Sequence, residues 1–330
     1  MDYKLLGRTG VKVSPLCLGC MNFGWGADEA SSIKIIHRAL DAGINFVDTA
    51  DVYGNGASET IVGKALKGKR DKVFLASKGH GKMGDSPNDV GNSRLHIMTA
   101  CEASLKRLKV DHIDLYQIHR PQSDMALDET LRALDDLVRQ GKVRYIGTST
   151  FAAWQLVESL WQSEKLGLNR FVCEQPPYHI LDRRAERELF PFARTHGFGI
   201  IPWSPLAGGL LTGKYQKGKK SPKGARYQGG TFRSGEKIPD AIWDVIEGVS
   251  QLATVKKCSM DALSLAWTLC NPAVTSPIIG PRTMTQLEGN LKALDVKLTE
   301  EDLARVDELV APGTHLASYY EADFGPLLHR

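Results

Sequence analysis

Cysteine is scarce: six in 330 residues, scattered too widely for a disulfide framework, which makes a reducing cytoplasm the expected setting. Long apolar runs are missing too. None approaches the roughly 18 residues a membrane span requires, so no membrane partner is expected. The opening "MDYKLLGRTG" has an acid at position 2 and no apolar stretch of a secretory signal. Excess charge is also absent. With 42 Lys and Arg against 38 Asp and Glu, the formal net charge is +4. No basic run is interleaved with aromatics, so a nucleic-acid partner is excluded as well.

What the chain does have is a repeating order of elements. Hydrophobic and charged fractions of 42% and 24% are those of a globular protein. Eight apolar strand-like runs recur: "PLCLG" (15–19), "NFVD" (45–48), "VFLASK" (73–78), "IDLYQIH" (113–119), "VRYIGTS" (143–149), "FVCEQ" (171–175), "GIIPWS" (199–204) and "TSPIIG" (275–280). Between them lie segments with apolar residues three and four apart, as in 29–42, 93–108 and 127–140, with Gly43, Gly141 and Gly197 as helix stops. Continuous apolar strands alternating with helices predict a parallel sheet, and eight units predict an α/β fold, the (β/α)8 TIM barrel. One domain is expected over 1–330, with an N-terminal β-hairpin in 1–14, a long loop in 205–240 and a C-terminal tail in 311–330. Inside that loop, the polar, Lys- and Gly-rich segment 213–237 exceeds an ordinary connection.

Three motifs imitate other chemistries. "GHGKMG" (79–84) matches a dinucleotide fingerprint, but no helix opens directly from its glycines. "GGLLTGKY" (208–215) approaches a phosphate-binding P-loop, yet Tyr215 stands where Mg²⁺ needs a hydroxyl from Ser or Thr. "CLGC" (17–20) has no second pair to complete a zinc site, so buried, inert thiols are expected and no metal is assigned.

The chemistry gathers elsewhere. In "INFVDTADVYGNG" a short strand runs into Asp48, Asp51 and Tyr53, while the third and fourth strands end at Lys78 and His119. Neighbouring strand ends of a barrel converge on one mouth. A capping acid, a surface tyrosine, a solvated lysine and a core histidine explain each residue singly, but not their convergence. Together they suit proton donation to a carbonyl. A nearby ammonium is expected to lower the phenol's pKa from about 10, and a carboxylate to keep the lysine charged. A histidine at the same oxygen can orient the carbonyl or assist proton transfer.

"NFVDTADVYG", "ASK", "LYQIH", "GTSTF" and "PWSPLAGGLLTGKY", in this order, resemble the aldo-keto reductases from residue 3 to about 310. The resemblance implies an NADPH-dependent barrel reductase of small carbonyl substrates. Tyr53 would be its general acid, Lys78 and Asp48 would tune it, and His119 would position the carbonyl. It also implies cofactor residues. Ser149 and Gln175 would hold the nicotinamide carboxamide, and Trp203 would stack on its ring. Ser204, Leu206, Gly208 and Lys214 would line the pyrophosphate; Gly280, Arg282, Gln286 and Asn290 would hold the adenosine 2′-phosphate end. Lys217, Lys219, Lys220 and Lys223 either close over the phosphates or form a solvated loop.

The chain departs from the family pattern at Thr150, where Asn is usual, at His179 in "YH" for "YN", and at Gly289, where an acid is usual and Glu288 is displaced by one. Trp25, Tyr178, His179 and the tail "HLASYYEADFG" are expected to line the substrate pocket. Some relatives are cytoplasmic potassium-channel subunits that keep the same four residues and use the cofactor as a redox sensor. The short stretch before the hairpin favours the enzyme.

Overall fold

Each apolar run is too continuously hydrophobic to leave either face wet, so the runs pair side by side beneath a layer of helices. The computed structural model describes residues 1–222, 225–227 and 237–316. A hairpin of β1 (Lys4–Leu5) and β2 (Lys12–Val13) comes first. Eight strands follow: β3 (Cys17–Gly19), β4 (Phe46–Asp48), β5 (Phe74–Gly79), β6 (Ile113–Ile118), β7 (Val143–Ser149), β8 (Phe171–Gln175), β9 (Gly199–Ile200) and β10 (Ile278–Ile279). All neighbours are parallel, in the order β10-β3-β4-β5-β6-β7-β8-β9. The two ends of the sheet meet where Thr275 N–H donates to Ile200 O and Ile278 N–H to Pro202 O, each at 2.8 Å. The fold is a (β/α)8 barrel. β9 and β10 are shorter than their apolar runs because Pro202 and Pro277 lack the N–H a ladder needs.

The helices are α1 (Glu29–Asp41), α2 (Ala57–Ala65), α3 (Arg94–Leu108), α4 (Leu127–Arg139), α5 (Ala153–Leu166), α6 (Leu189–His196), α7 (Asp240–Val255), α8 (Met260–Cys270), α9 (Met284–Leu291) and α10 (Glu300–Leu309). Their ends follow local chemistry. Asp28 caps α1 by accepting from Ser31 N at 2.8 Å. Gly197, at φ +68°, ends α6 in the left-handed region. Among the described residues no helix is long and apolar enough to cross a membrane.

Alternate strand residues point inward. Leu6 and Val13 of the hairpin region join Cys17, Phe46, Leu115, Cys173, Ile201 and Ile278 in an apolar cluster inside the barrel. The hairpin therefore plugs the N-terminal end. Gly7 permits this approach, since a Cβ there would lie 2.4 Å from Gly197 O. Outward residues form the larger core against the helices. Cys17 and Cys20 are fully buried and burial pushes both thiols well up, as expected of inert sulfurs. After β5, "GHGKMG" runs into a loop before α3. "GGLLTGKY" opens as an irregular 3₁₀ turn over Ala207–Thr212.

Candidate active site

Strand register brings the polar residues to one level. Asp48 of β4 lies beside Ala76, Lys78 of β5 beside Gln117 of β6, and Ser149 of β7 beside Gln175 of β8. Lys78 is fully buried. Its ammonium donates to Asp48 Oδ1 at 2.5 Å, to Thr49 O at 2.8 Å and to Tyr53 OH at 3.2 Å. All three donors are thus used. Burial opposes the charge, but Asp48 and Tyr53 outweigh it and raise the lysine above its ordinary value. His119, next along from β6, meets the Tyr53 ring edge-on at 5.6 Å between centroids. Burial, then Lys78, Arg120 and His80, hold its imidazole well below the usual range, hence neutral. Tyr53 itself is carried on the turn from β4 to α2, tied by Tyr53 N–H to Ala50 O at 3.3 Å and Ser58 N–H to Tyr53 O at 3.2 Å.

One expectation is corrected. The Tyr53 phenol lies above its ordinary value: loss of hydration raises it and exceeds the lowering by Lys78, whose charge Asp48 partly cancels. The phenol is therefore fully protonated at neutral pH, the state a proton donor starts from.

Next to this group, Ser149 Oγ donates to Gln175 O at 2.9 Å. Both Nε2 hydrogens of Gln175 are taken, by Asp48 Oδ2 at 3.0 Å and Gln117 Oε1 at 3.1 Å. Ser149 and Gln175 can then meet a ligand only as acceptors, which suits the NH₂ of a carboxamide. Trp203, half-buried, packs against the interior cluster just beyond β9. Ser204 (φ +58°), Leu206 and Gly208 (φ +63°) form the turn that follows. Beyond it, Lys214 is held below its ordinary value by burial, then by Arg282 and Arg226. Gathered cations of this kind are what a bound phosphate relieves. A Cβ at Gly209 would lie 2.5 Å from Lys214 Nζ, and one at Gly26 would lie 3.2 Å from Arg282 Cδ. Gly280 O accepts from Asn22 Nδ2 at 3.1 Å, Gln286 Oε1 holds Arg282 N–H at 2.7 Å, and Asn290 is buried on α9.

The acceptor pair and the gathered cations suit a nicotinamide cofactor, and comparison with known proteins gives the family. Residues 15–311 match the Aldo/keto reductase family. The chain belongs to that family. It is 42% identical to an uncharacterized oxidoreductase, YrpG, of Bacillus subtilis, over 97% of this chain and 99% of the relative. A probable voltage-gated potassium channel subunit beta of Arabidopsis thaliana is 35% identical over 94% and 97% of the two chains. Versiconal hemiacetal acetate reductase of Aspergillus parasiticus is 35% identical over 94% and 98%.

Within this aldo/keto reductase the substrate side differs from expectation. Trp25 is 56% exposed, with Cδ1 3.8 Å from where a Cβ on Gly54, the residue after Tyr53, would be. Tyr178 does not line the pocket. It is buried between Phe190 and Trp267, and its hydroxyl donates to Glu186 at 2.6 Å. His179 is fully buried too, because mutual backbone bonds with Asp182 at 3.2 and 2.9 Å curl the chain away from the mouth. The segment up to Leu316 is bound to that turn, and the tail beyond lies outside the described residues, as does Lys223. Lys217 pairs with Asp240 at 3.0 Å, while Lys219 and Lys220 are exposed.

The other departures differ in how well their surroundings suit them. A side chain at Gly289 would push its Cβ to 2.9 Å from Asp261 Oδ2, so an acid there would meet a like charge. Glu288 is engaged with Arg38 at 2.7 Å. Thr150 sits at φ +62°, a left-handed conformation that Asn tolerates and a β-branched residue resists. Glu174, one residue before Gln175, holds that turn: its carboxyl bonds Thr148 Oγ1 at 2.5 Å and Phe151 N–H at 3.2 Å. Gln117 and Glu174 went unpredicted. Gln117 was findable, as a polar residue in an apolar strand on the same face as His119.

Proposed function

We propose that the protein reduces an aldehyde or ketone to an alcohol with NADPH, Tyr53 acting as general acid. One observation carries the reading: the Lys78 ammonium, buried and anchored by Asp48, stands 3.2 Å from the Tyr53 hydroxyl. When bound, NADPH supplies the hydride. Tyr53 OH gives its proton to the carbonyl oxygen, and Lys78 stabilises the phenolate left behind. Neutral His119 offers one N–H to the same oxygen and orients it. Ser149 and Gln175 would hold the carboxamide through their acceptor atoms, and Trp203 would stack on the ring. Ser204, Leu206, Gly208 and Lys214 would take the pyrophosphate, and Arg282 with Gly280, Gln286 and Asn290 would take the 2′-phosphate end. Trp25 offers the substrate a flat apolar wall. Six unpaired cysteines support a reducing, cytoplasmic setting.

Replacing Tyr53 by Phe removes the proton donor and keeps the ring. Carbonyl reduction, followed as NADPH oxidation, falls by roughly 10²–10⁴-fold while NADPH affinity barely changes. Near-wild-type turnover in Tyr53→Phe would overturn the assignment. The similarity to a channel beta subunit supports a second reading, a cofactor-binding regulatory subunit. Steady NADPH consumption with simple aldehydes separates the two.

A further inference from the structure

We propose that Gln117 is a positioning residue that couples the proton-donor half of the site to the half that receives the cofactor ring; this rests on the NADPH-dependent reductase reading above. Gln117 is fully buried on the inward face of β6, two residues before His119. Its Nε2 donates to Asp48 Oδ2 at 3.1 Å, and its Oε1 accepts from Gln175 Nε2 at 3.1 Å. Gln175 Nε2 also donates to Asp48 Oδ2 at 3.0 Å. Asp48, Gln117 and Gln175 thus form a closed triangle that shares Asp48 with the group of Tyr53, Lys78 and His119.

The triangle has a direction. Asp48 is already bound at Oδ1 by Lys78, and a carboxylate only accepts. The Gln117 NH₂ must therefore face Asp48, which turns its carbonyl toward Gln175. That carbonyl, in turn, draws the Gln175 NH₂ inward and leaves the Gln175 carbonyl for a ligand. One buried charge sets the orientation of two amides. Reciprocally, two amide donors on Oδ2 spread the Asp48 charge, so Asp48 cancels less of the Lys78 field and the third Lys78 N–H stays on Tyr53.

Gln117→Leu deletes both links. Gln175 then keeps its bond to Asp48 Oδ2 but loses the one to Gln117, so its amide is held by one contact in place of two, and Asp48 draws Lys78 away from the phenol. The expected result is a kcat lower by roughly ten- to a hundredfold, the size of one lost charge-assisted bond, with NADPH Kd weaker by about tenfold. Gln117→Glu keeps the shape and adds a proton switch. Burial beside Asp48 holds the new carboxyl protonated at low pH, when its O–H donates to Asp48 and its carbonyl still accepts from Gln175. As pH rises it ionises against Asp48, and both functions are lost.

The test measures NADPH Kd by quenching of protein fluorescence, and kcat with an aldehyde, from pH 5.5 to 9 in wild type and both variants. Support requires the Leu variant to lose both, and the Glu variant to show an alkaline limb in the variant-to-wild-type ratio of Kd. Gln117→Leu within twofold of wild type on both, or a Glu variant whose profile runs parallel to wild type, overturns the proposal. A wild type that binds NADPH but turns over no carbonyl would overturn the proposed function, with the Kd measurements still deciding on Gln117.

Discussion

Glu174 offers the sharpest test of the energetics around the site. It is fully buried, and burial pushes its carboxyl up to about 8 from an ordinary value of 4.5. Hydrogen bonds from Thr148, Phe151 and Thr150, and then the Arg120 charge, work the other way without overcoming burial. The unfolded chain therefore ionises at the ordinary value, while the folded protein holds its proton until about pH 8. Through that window the unfolded state binds fewer protons, so stability falls as pH rises. At about 1.4 kcal/mol per pH unit, the full loss is about 5 kcal/mol. Glu174→Gln abolishes the titration and keeps the bonds. The amide oxygen accepts from Phe151 N–H, and its NH₂ donates to Thr148 Oγ1, whose hydroxyl already reaches Cys173 O at 3.3 Å. Protonated Glu174 makes the same pattern, so the two proteins should unfold at similar denaturant concentrations near pH 4.5. By pH 8.5 the Gln variant should be the more stable by several kcal/mol. Urea unfolding at both pH values measures this directly. A stability difference that is the same at both would refute the raised carboxyl.

Three further outcomes follow from other contacts. Arg282→Ala should weaken NADPH about ten- to several-hundred-fold, the loss of charge-assisted bonds to a 2′-phosphate, and leave NADH nearly untouched; equal losses in titrations with both cofactors would mean that Arg282 supports only the fold. Thr150→Gly should raise stability by up to about 1 kcal/mol despite the lost hydroxyl bond to Ser149 O, since Gly accepts φ +62° without strain; a lower melting temperature would contradict this. Lys78→Met strands Asp48 in the interior and should cost about 3–5 kcal/mol, part of which Asp48→Asn in the same chain should restore; additive losses in the double variant would show that the pair is not coupled.

The barrel was legible because parallel strands covered on both faces are written as unbroken apolar runs, and helices as three-and-four spacings. The largest shortfalls were in the last two strands, and their prolines account for them. The tetrad was legible because strand-end residues share a mouth in this fold. Less legible was anything decided by competition. The Tyr53 phenol was expected to fall in pKa under the Lys78 charge, but burial won. Tyr178 and His179 follow β8 much as Tyr53 follows β4, yet a tight turn at Asp182, bound to the segment ending at Leu316, faces them into the helix layer. Contacts between residues so distant in sequence leave no local signature. The Asp48–Gln117–Gln175 triangle has the same character, joining three strands through side chains that are individually unremarkable.

The hairpin plug has a consequence for traffic. Among the described residues, Leu6 and Val13 seal one end over an apolar floor, so the barrel is a cup open at the other. On the proposed function, carbonyl and alcohol would use that opening, and so would the proton that restores Tyr53 after each turnover. Regeneration of the acid would then wait in the same queue as product departure. A product slow to leave would stall chemistry twice over, by occupying the mouth and by keeping water from the phenolate beneath it.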